Sequence, residues 1–211
     1  MTEYYAKRAS EYELVYEKPE RQKDISILKK ELSAEFNGLN VLDVACGTGY
    51  WTQFIAKSAK SITATDYNQE VIDIAKQKDY GSCHIDFKIS DAYALTNIEN
   101  NFDGSFLGFW WSHIPIQLHK EFLDVFHSHL RQGCKVIILD NIYVENSNIP
   151  ISRRDEFNNS YQSRKLKDGS SHEVLKNFPT DEEIKIALAS YSDDLRIDRL
   201  QYFWKAEYKV K

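Results

Sequence analysis

Three carboxylates and two glycines are spaced along the first half of the chain in a pattern that can do binding chemistry. Asp43 lies inside the apolar run NVLDVA, just ahead of the bend ACGTGYWT. There Gly47 and Gly49 let the backbone turn tightly and approach a bound group with no Cβ in the way. Asp66 closes the run SITATD about twenty residues further on, where a carboxylate accepts hydrogen bonds from ribose hydroxyls. Asp91 closes IDFKISD and is placed to accept from an adenine amino group. The bend is not a dinucleotide fingerprint, because Thr52 stands where its third glycine would be. No Gly-Lys-Ser/Thr follows either, which excludes a P-loop. Each feature alone reads as a turn or a strand end. Together, at these intervals, they fit a ligand with an amino-acid end and a nucleoside end.

A second group of reactive residues follows. FLGFWWSHIP (106–115) places two tryptophans beside His113. Neighbouring strand residues point to opposite faces, so one tryptophan packs in the core while the other walls a cleft; Trp111 is taken as the cleft residue. His113 has two open readings. It is a proton acceptor or orienting group near neutrality, or it is a helix-start residue satisfying loop carbonyls. Later, SYQSRKLKDGSSHEVLKNF (160–178) reads as a hairpin turning at Asp168-Gly169. A two-residue turn puts Arg164 and Lys176 on opposite faces. A type I turn with left-handed Gly169 pairs Leu166 with Ser170 and puts Arg164, His172, Val174 and Lys176 on one face. The second is favoured, since it makes a cationic cap suited to an anionic substrate.

Such residues need a scaffold, and the chain alternates strand-like and helical stretches from residue 39 to 140. Strands are expected at 40–45, 61–66, 85–91, 102–110 and 134–141. Helices are expected at 49–59, 71–78 and 115–130, the last begun by Pro115 and ended by Gly133. A helix at 181–189 and strands at 195–200 and 203–210 complete the pattern. The fold class is α/β: a doubly wound, mostly parallel, seven-stranded sheet with ligands beyond the strands' carboxyl ends. One domain, 1–211, carries an N-terminal helical lid (1–35) and an insertion capping the substrate (142–178).

The 211 residues are 42% hydrophobic and 28% charged with net charge −5. That composition is globular, and the acidic balance speaks against a nucleic-acid partner. No run is long and apolar enough for a bilayer span, and none reads as a secretory signal. Cys46, Cys83 and Cys134 form neither a zinc nor a disulfide pattern. No metal and no membrane partner are expected, and a cytoplasmic monomer or homodimer fits.

On LDVACGTGYWT, TATDYNQEVIDIA and KISDAYAL the chain resembles the class I S-adenosylmethionine-dependent methyltransferases over nearly its whole length. The resemblance implies S-adenosylmethionine as cofactor. Asp43 and the backbone of Ala45, Cys46, Gly47 and Gly49 would hold the methionine part, Asp66 the ribose, and Asp91, Ala92 and Tyr67 the adenine. Trp51 and Phe109 join that set. Ala45 stands where the family most often has glycine. Within the family, YYAKRASEYE, GTGYW, His-Ile-Pro and RKLKDGSSHEVLKNF are similar to bacterial phosphonate O-methyltransferases. This implies Tyr5 and Tyr12 near the cofactor, Tyr16 as a lid residue, and His113, Arg164 and Lys176 facing the substrate. The expected activity is methyl transfer to an oxygen of a small, polar or anionic acceptor. The alternatives are a small amine, a protein or RNA substrate, or a non-catalytic scaffold.

Overall fold

The computed structural model describes residues 9–166 and 169–211, with side chains from Glu13 onward. Seven strands form the main sheet. They are β1 (Asn40–Val44), β2 (Ser61–Asp66), β3 (His84–Ile89), β4 (Phe102–Gly108), β5 (Leu130–Asn141), β9 (Ser192–Arg199) and β10 (Phe203–Val210). Their spatial order is β3-β2-β1-β4-β5-β10-β9. The first five run parallel, while β10 is antiparallel to both β5 and β9. The expected doubly wound sheet is therefore the one observed. The chain winds outward through β2 and β3, then returns to place β4 against the other side of β1. The switch point lies between the carboxyl ends of β1 and β4, where a ligand crevice opens in such sheets.

Both faces of the sheet are covered because its central strands are apolar on both sides. Along β5, Val136 and Ile138 enter one cluster with Phe122, Phe126, Trp204 and Tyr208. The alternating Ile137 and Leu139 enter the other with Ile25, Leu28, Phe36 and Ile55. The helices are α1 (Gln22–Glu35), α2 (Thr52–Ile55), α3 (Gln69–Ala75), α4 (His119–Ser128) and α5 (Asp181–Leu188). Residues 22–35, assigned from sequence to a lid, thus form a helix packed on the sheet through Ile25, Leu28 and Leu32. Helix α5 starts at a capping box: Thr180 Oγ1 accepts from the Glu183 N–H at 3.2 Å, and the Glu183 carboxylate accepts from the Thr180 N–H at 2.7 Å.

Several boundaries differ from the sequence reading, among them the helix expected at 49–59, which is only Thr52–Ile55, and the strand expected at 134–141, which begins at Leu130. Strand β4 ends at Gly108, because Phe109 is left-handed (φ 60°) and cannot continue a strand. Gly133 does not end a helix; it lies inside β5 with φ 74°, in the irregular stretch where the pairing jumps from Phe102↔Leu130 to Gly104↔Lys135. The hairpin gains a third strand. Here β6 (Arg153–Arg154), β7 (Ser160–Lys165) and β8 (Ser171–Leu175) form a separate antiparallel sheet. Its register pairs Arg164 with His172 and Gln162 with Val174, and Leu166 N–H donates to Ser170 O at 2.9 Å. Gly169 is left-handed at φ 84°, the bulged arrangement that puts Arg164 and Lys176 on one face. Among the described residues no helix is long and apolar enough to cross a membrane.

Candidate functional site

Two residues other than glycine adopt left-handed backbone at the switch point, Ala45 after β1 and Phe109 after β4 (φ 56° and 60°). Each such residue costs on the order of 1–3 kcal/mol and persists only where its surroundings hold it. The Cys46 N–H donates to Thr65 O at 2.8 Å, and the Phe109 N–H donates to Leu139 O at 2.6 Å. Both turned residues line the crevice.

The glycine bend is held from below and from the side. Asp66 accepts from the Gly47 N–H through Oδ2 and from the Asn68 N–H through Oδ1, both at 3.0 Å. Burial raises its carboxyl above the ordinary range, against the pull of these N–H groups. Gly49, at φ 74°, backs onto α3, where an added Cβ would collide with the Tyr80 hydroxyl and lie 3.1 Å from Ala75 Cβ. Thr48 Oγ1 donates to Glu13 Oε1 at 2.7 Å, and Lys78 pairs with the same carboxylate at 2.8 Å, which ties the N-terminal segment to the bend. Asp43 is 1% exposed beneath it and accepts from Thr52 Oγ1 at 2.7 Å. Burial pushes its pKa to about 7, partly offset by Thr52 and reinforced by Asp66.

Over the bend opens a cavity of about 310 Å³, walled by Ala45, Gly47, Asp66, Tyr67, Asp91, Ala92 and Trp110, and closed by Phe109 and His113. A second cavity of about 280 Å³ lies across the same two residues, since Phe109 and His113 also line it. Its remaining wall includes Tyr16, Lys18, Arg21, Gln162, Arg164 and Lys176, and no carboxylate among the described residues.

His113 is 5% exposed between them, and its Nδ1 lies 2.7 Å from Leu175 O. A carbonyl only accepts, so Nδ1 carries the hydrogen and Nε2 the lone pair in the neutral ring. Burial holds its pKa well below the usual 6.5, and the charges of Lys176 and Arg164 push the same way. Lys176 is fully buried: its Nζ donates to Ser112 Oγ at 2.5 Å and to Asp140 Oδ1 at 3.0 Å. Burial opposes ionisation of Asp140, but Lys176, His113 and the N–H groups of Ser112 and Asn141 together hold it below the carboxylate range.

Residues 41–133 match the family described as "Methyltransferase domain". A demethylmenaquinone methyltransferase from Staphylococcus aureus is 31% identical over 106 residues, 49% of this chain and 43% of that protein. Two solved structures resemble nearly all of the chain. "DhpI-SAH complex structure" superposes with a TM-score of 0.79 at 25% identity, covering 99% of this chain and 94% of the other. "DhpI-SAM-HEP complex" gives 0.78 at 26%, covering 97% and 94%. A methyltransferase domain therefore occupies residues 41–133, on a chain whose fold throughout is that of these two solved structures. The chain spans less than half the length of the Staphylococcus aureus relative.

The site residues read from sequence fall into several groups. Ala45, Gly47, Asp66, Tyr67, Asp91, Ala92, Phe109 and His113 meet on the first cavity, a carboxylate wall and a side-chain-free bend that suit the adenosine part of S-adenosylmethionine. Asp43, Cys46 and Trp51 do not reach it. They line a void of about 10 Å³ under Tyr16 and Tyr50, where Tyr16 stacks on Tyr50 and Trp51 stacks on Phe109. Gly49 serves helix packing. Tyr16, His113, Arg164 and Lys176 meet on the second cavity. Tyr5 and the side chain of Tyr12 lie outside the described residues.

One placement is reversed. Trp111 is 1% exposed in the core, edge-on to Trp204 at 6.1 Å, and Trp110 walls the first cavity instead. The left-handed turn at Phe109 and the tight helical turn at Trp111–His113 break the strand alternation from which the pair was sorted. Lys18 and Arg21 were missed as site residues. They sit in a three-residue helical turn (Pro19–Arg21) and its cap, and the segment KPER reads locally as an ordinary charged helix start. The only sequence signal was a Pro-Glu pair between two cations ahead of a helix.

Proposed function

We propose that the chain transfers the methyl group of S-adenosylmethionine to an oxygen of a small anionic molecule. The observation that carries this is the pair of cavities meeting at Phe109 and His113, with Lys18, Arg21, Arg164 and Lys176 around the second one and no carboxylate among its described lining residues. Cations converging on a partly buried pocket favour an oxyanion, and charge-assisted bonds there are stronger than neutral ones. An amine acceptor would meet only like charge, which disfavours the nitrogen alternative. A polybasic or long nucleic-acid surface is not needed for a pocket of this size.

Bound S-adenosylmethionine supplies an electrophilic methyl group on a sulfonium. The chain's own residues then have three tasks. The cationic wall binds and orients the acceptor, which accounts for much of the gain available in an in-line displacement. Tyr16, Trp51, Phe109 and Phe203 form a connected aromatic wall that keeps water from the junction. His113 presents Nε2 as a neutral hydrogen-bond acceptor. With its pKa depressed it neither balances the substrate's charge nor makes an effective base at neutral pH. An acidic acceptor needs neither, because its oxygen is already ionised. In this reading 1–211 act as one catalytic unit in the cytoplasm, as monomer or homodimer. Residues 14–21, with Gln162, Arg164 and Lys176 of the insertion, close over the junction.

The test is transfer of labelled methyl from S-adenosylmethionine into a panel of small phosphonates, carboxylates, phenols and amines. Label should appear on acidic oxygens. Label confined to amines would overturn the reading. A thermal-shift measurement with S-adenosylhomocysteine runs beside it: a hundredfold excess over Kd stabilises by roughly 2.7 kcal/mol. Asp66→Ala should abolish the rise.

A further inference from the structure

The cation that the sequence assigns to the acceptor, Lys176, already has its counter-ion. Its ammonium lies 3.0 Å from Asp140 Oδ1, and both groups are buried. Such a pair is close to neutral as seen from the cavity, and two of the ammonium's three hydrogens go to Asp140 and Ser112. Arg21 stands differently. It is 3% exposed, lines the same cavity, and lies over the rings of Tyr202 and Phe203 at 5.6 and 5.8 Å. Its hydrogen bonds go only to neutral oxygens: Asn141 Oδ1 at 3.3 Å, Ser147 Oγ at 3.1 Å and Ser147 O at 3.4 Å. Nη1 carries two hydrogens and donates one bond, so the fork keeps a donor to give. No carboxylate lies within ion-pair distance of it among the described residues. The neighbouring Glu20 is exposed and accepts instead from Ser147 Oγ at 3.0 Å.

Burying a guanidinium among neutral partners is expensive, and its pKa is lowered accordingly, burial being the main cause. A protein holds such a group in a cavity wall when a ligand completes it. Resting on the reading of an anionic acceptor, we propose that Arg21 supplies the counter-charge that selects the acceptor's acidic group, with Lys176 serving to hold Asp140 and the Ser112–His113 turn in place. The anchoring supports this. Asn141, which fixes Nη1, is itself tied through Nδ2 to Asp140 Oδ1 at 3.0 Å, so Arg21 is positioned by the same carboxylate that neutralises Lys176. Asp24, one turn along, accepts from the Tyr202 N–H at 2.8 Å and keeps the start of α1 from shifting. A planar fork held this way discriminates bidentate oxyanions from neutral isosteres.

The experiment uses inorganic phosphate as the probe on the full chain with S-adenosylhomocysteine present. Calorimetry on the wild type should show binding. Arg21→Gln should weaken it about tenfold to a hundredfold, the worth of a lost charged hydrogen bond. Arg21→Lys should recover part of the loss, since it keeps the charge without the fork. Affinity for S-adenosylhomocysteine should be the same in all three, which shows that the fold is intact. If Arg21→Gln does not fold, the Arg21 Nε–H resonance of the wild type, assigned by its disappearance in Arg21→Lys, should move on phosphate titration. Phosphate binding in Arg21→Gln equal to wild type, or an Arg21 resonance unmoved by saturating phosphate, overturns the assignment while leaving the anionic acceptor standing. A wild type that binds no phosphate and methylates a neutral acceptor overturns both.

Discussion

Asp43→Asn should make the protein by itself more stable and its cofactor binding weaker. Asp43 sits at the end of β1 with 1% exposure and one hydrogen-bond donor, Thr52 Oγ1 at 2.7 Å. Its pKa moves from 3.8 to about 7, because burial penalises the charged form. A carboxyl whose folded pKa is raised binds its proton more tightly in the native state. The stability it contributes is therefore complete below pH 3.8 and is lost as pH climbs to about 7. At 1.36 kcal/mol per pH unit the accumulated penalty is about 2 kcal/mol at pH 5 and about 4 kcal/mol at pH 8. An asparagine keeps the acceptor for Thr52 and never ionises. Urea unfolding of the two proteins at pH 5 and pH 8 should thus show a gain for the variant that grows with pH. By the family resemblance Asp43 partners the ligand's amino group, although its carboxylate does not reach the first cavity. Calorimetry with S-adenosylhomocysteine tests that role, and affinity should fall about tenfold or more. A variant no more stable than wild type at pH 8, or a gain that does not rise with pH, would refute the burial argument. Unchanged cofactor affinity would refute the assignment of Asp43 to the methionine end.

Gly49→Ala should cost about 2–4 kcal/mol, combining left-handed strain with the collision against Tyr80, whose hydroxyl donates to Ala75 O at 2.9 Å. Gly133→Ala is the control, with the same φ of 74° but nothing within 4 Å of the added Cβ. Equal unfolding free energies for the two variants would show that the bend does not pack on α3 as described. For His113, ¹⁵N spectra at pH 6 should show a neutral ring protonated at Nδ1, and an imidazolium there would contradict its environment. A histidine with a depressed folded pKa contributes stability that is present above pH 6.5 and lost as pH falls below it. His113→Gln should accordingly flatten the acid arm of the stability profile, with the remainder due to His119 and His127, both held at about 4 by burial.

What the sequence by itself determined is whatever depends on short-range pattern. Runs such as NVLDVA and SITATD are strands because β-branched apolar residues suit a sheet buried on both faces. Gly47 and Gly49 mark the bend because only glycine adopts those dihedrals cheaply, and Asp66 and Asp91 follow as the strand ends on the same edge of the sheet. The hairpin and its turn at Asp168-Gly169 were legible too, but of the two registers left open only the fold selects the one with left-handed Gly169. Tertiary structure decided the rest, because those features depend on residues far apart in the chain. Trp110 and Trp111 exchanged their expected places once Phe109 turned left-handed, a conformation held by Leu139 O from the next strand. Lys176 met Asp140 across 36 positions, which placed this cavity-lining cation in a buried ion pair. Arg21 reached the second cavity through contacts with Asn141 and Ser147, more than a hundred residues away. A charge on a helix start looks solvated in any local window. Only the packing of distant segments removes its water and leaves it facing a pocket.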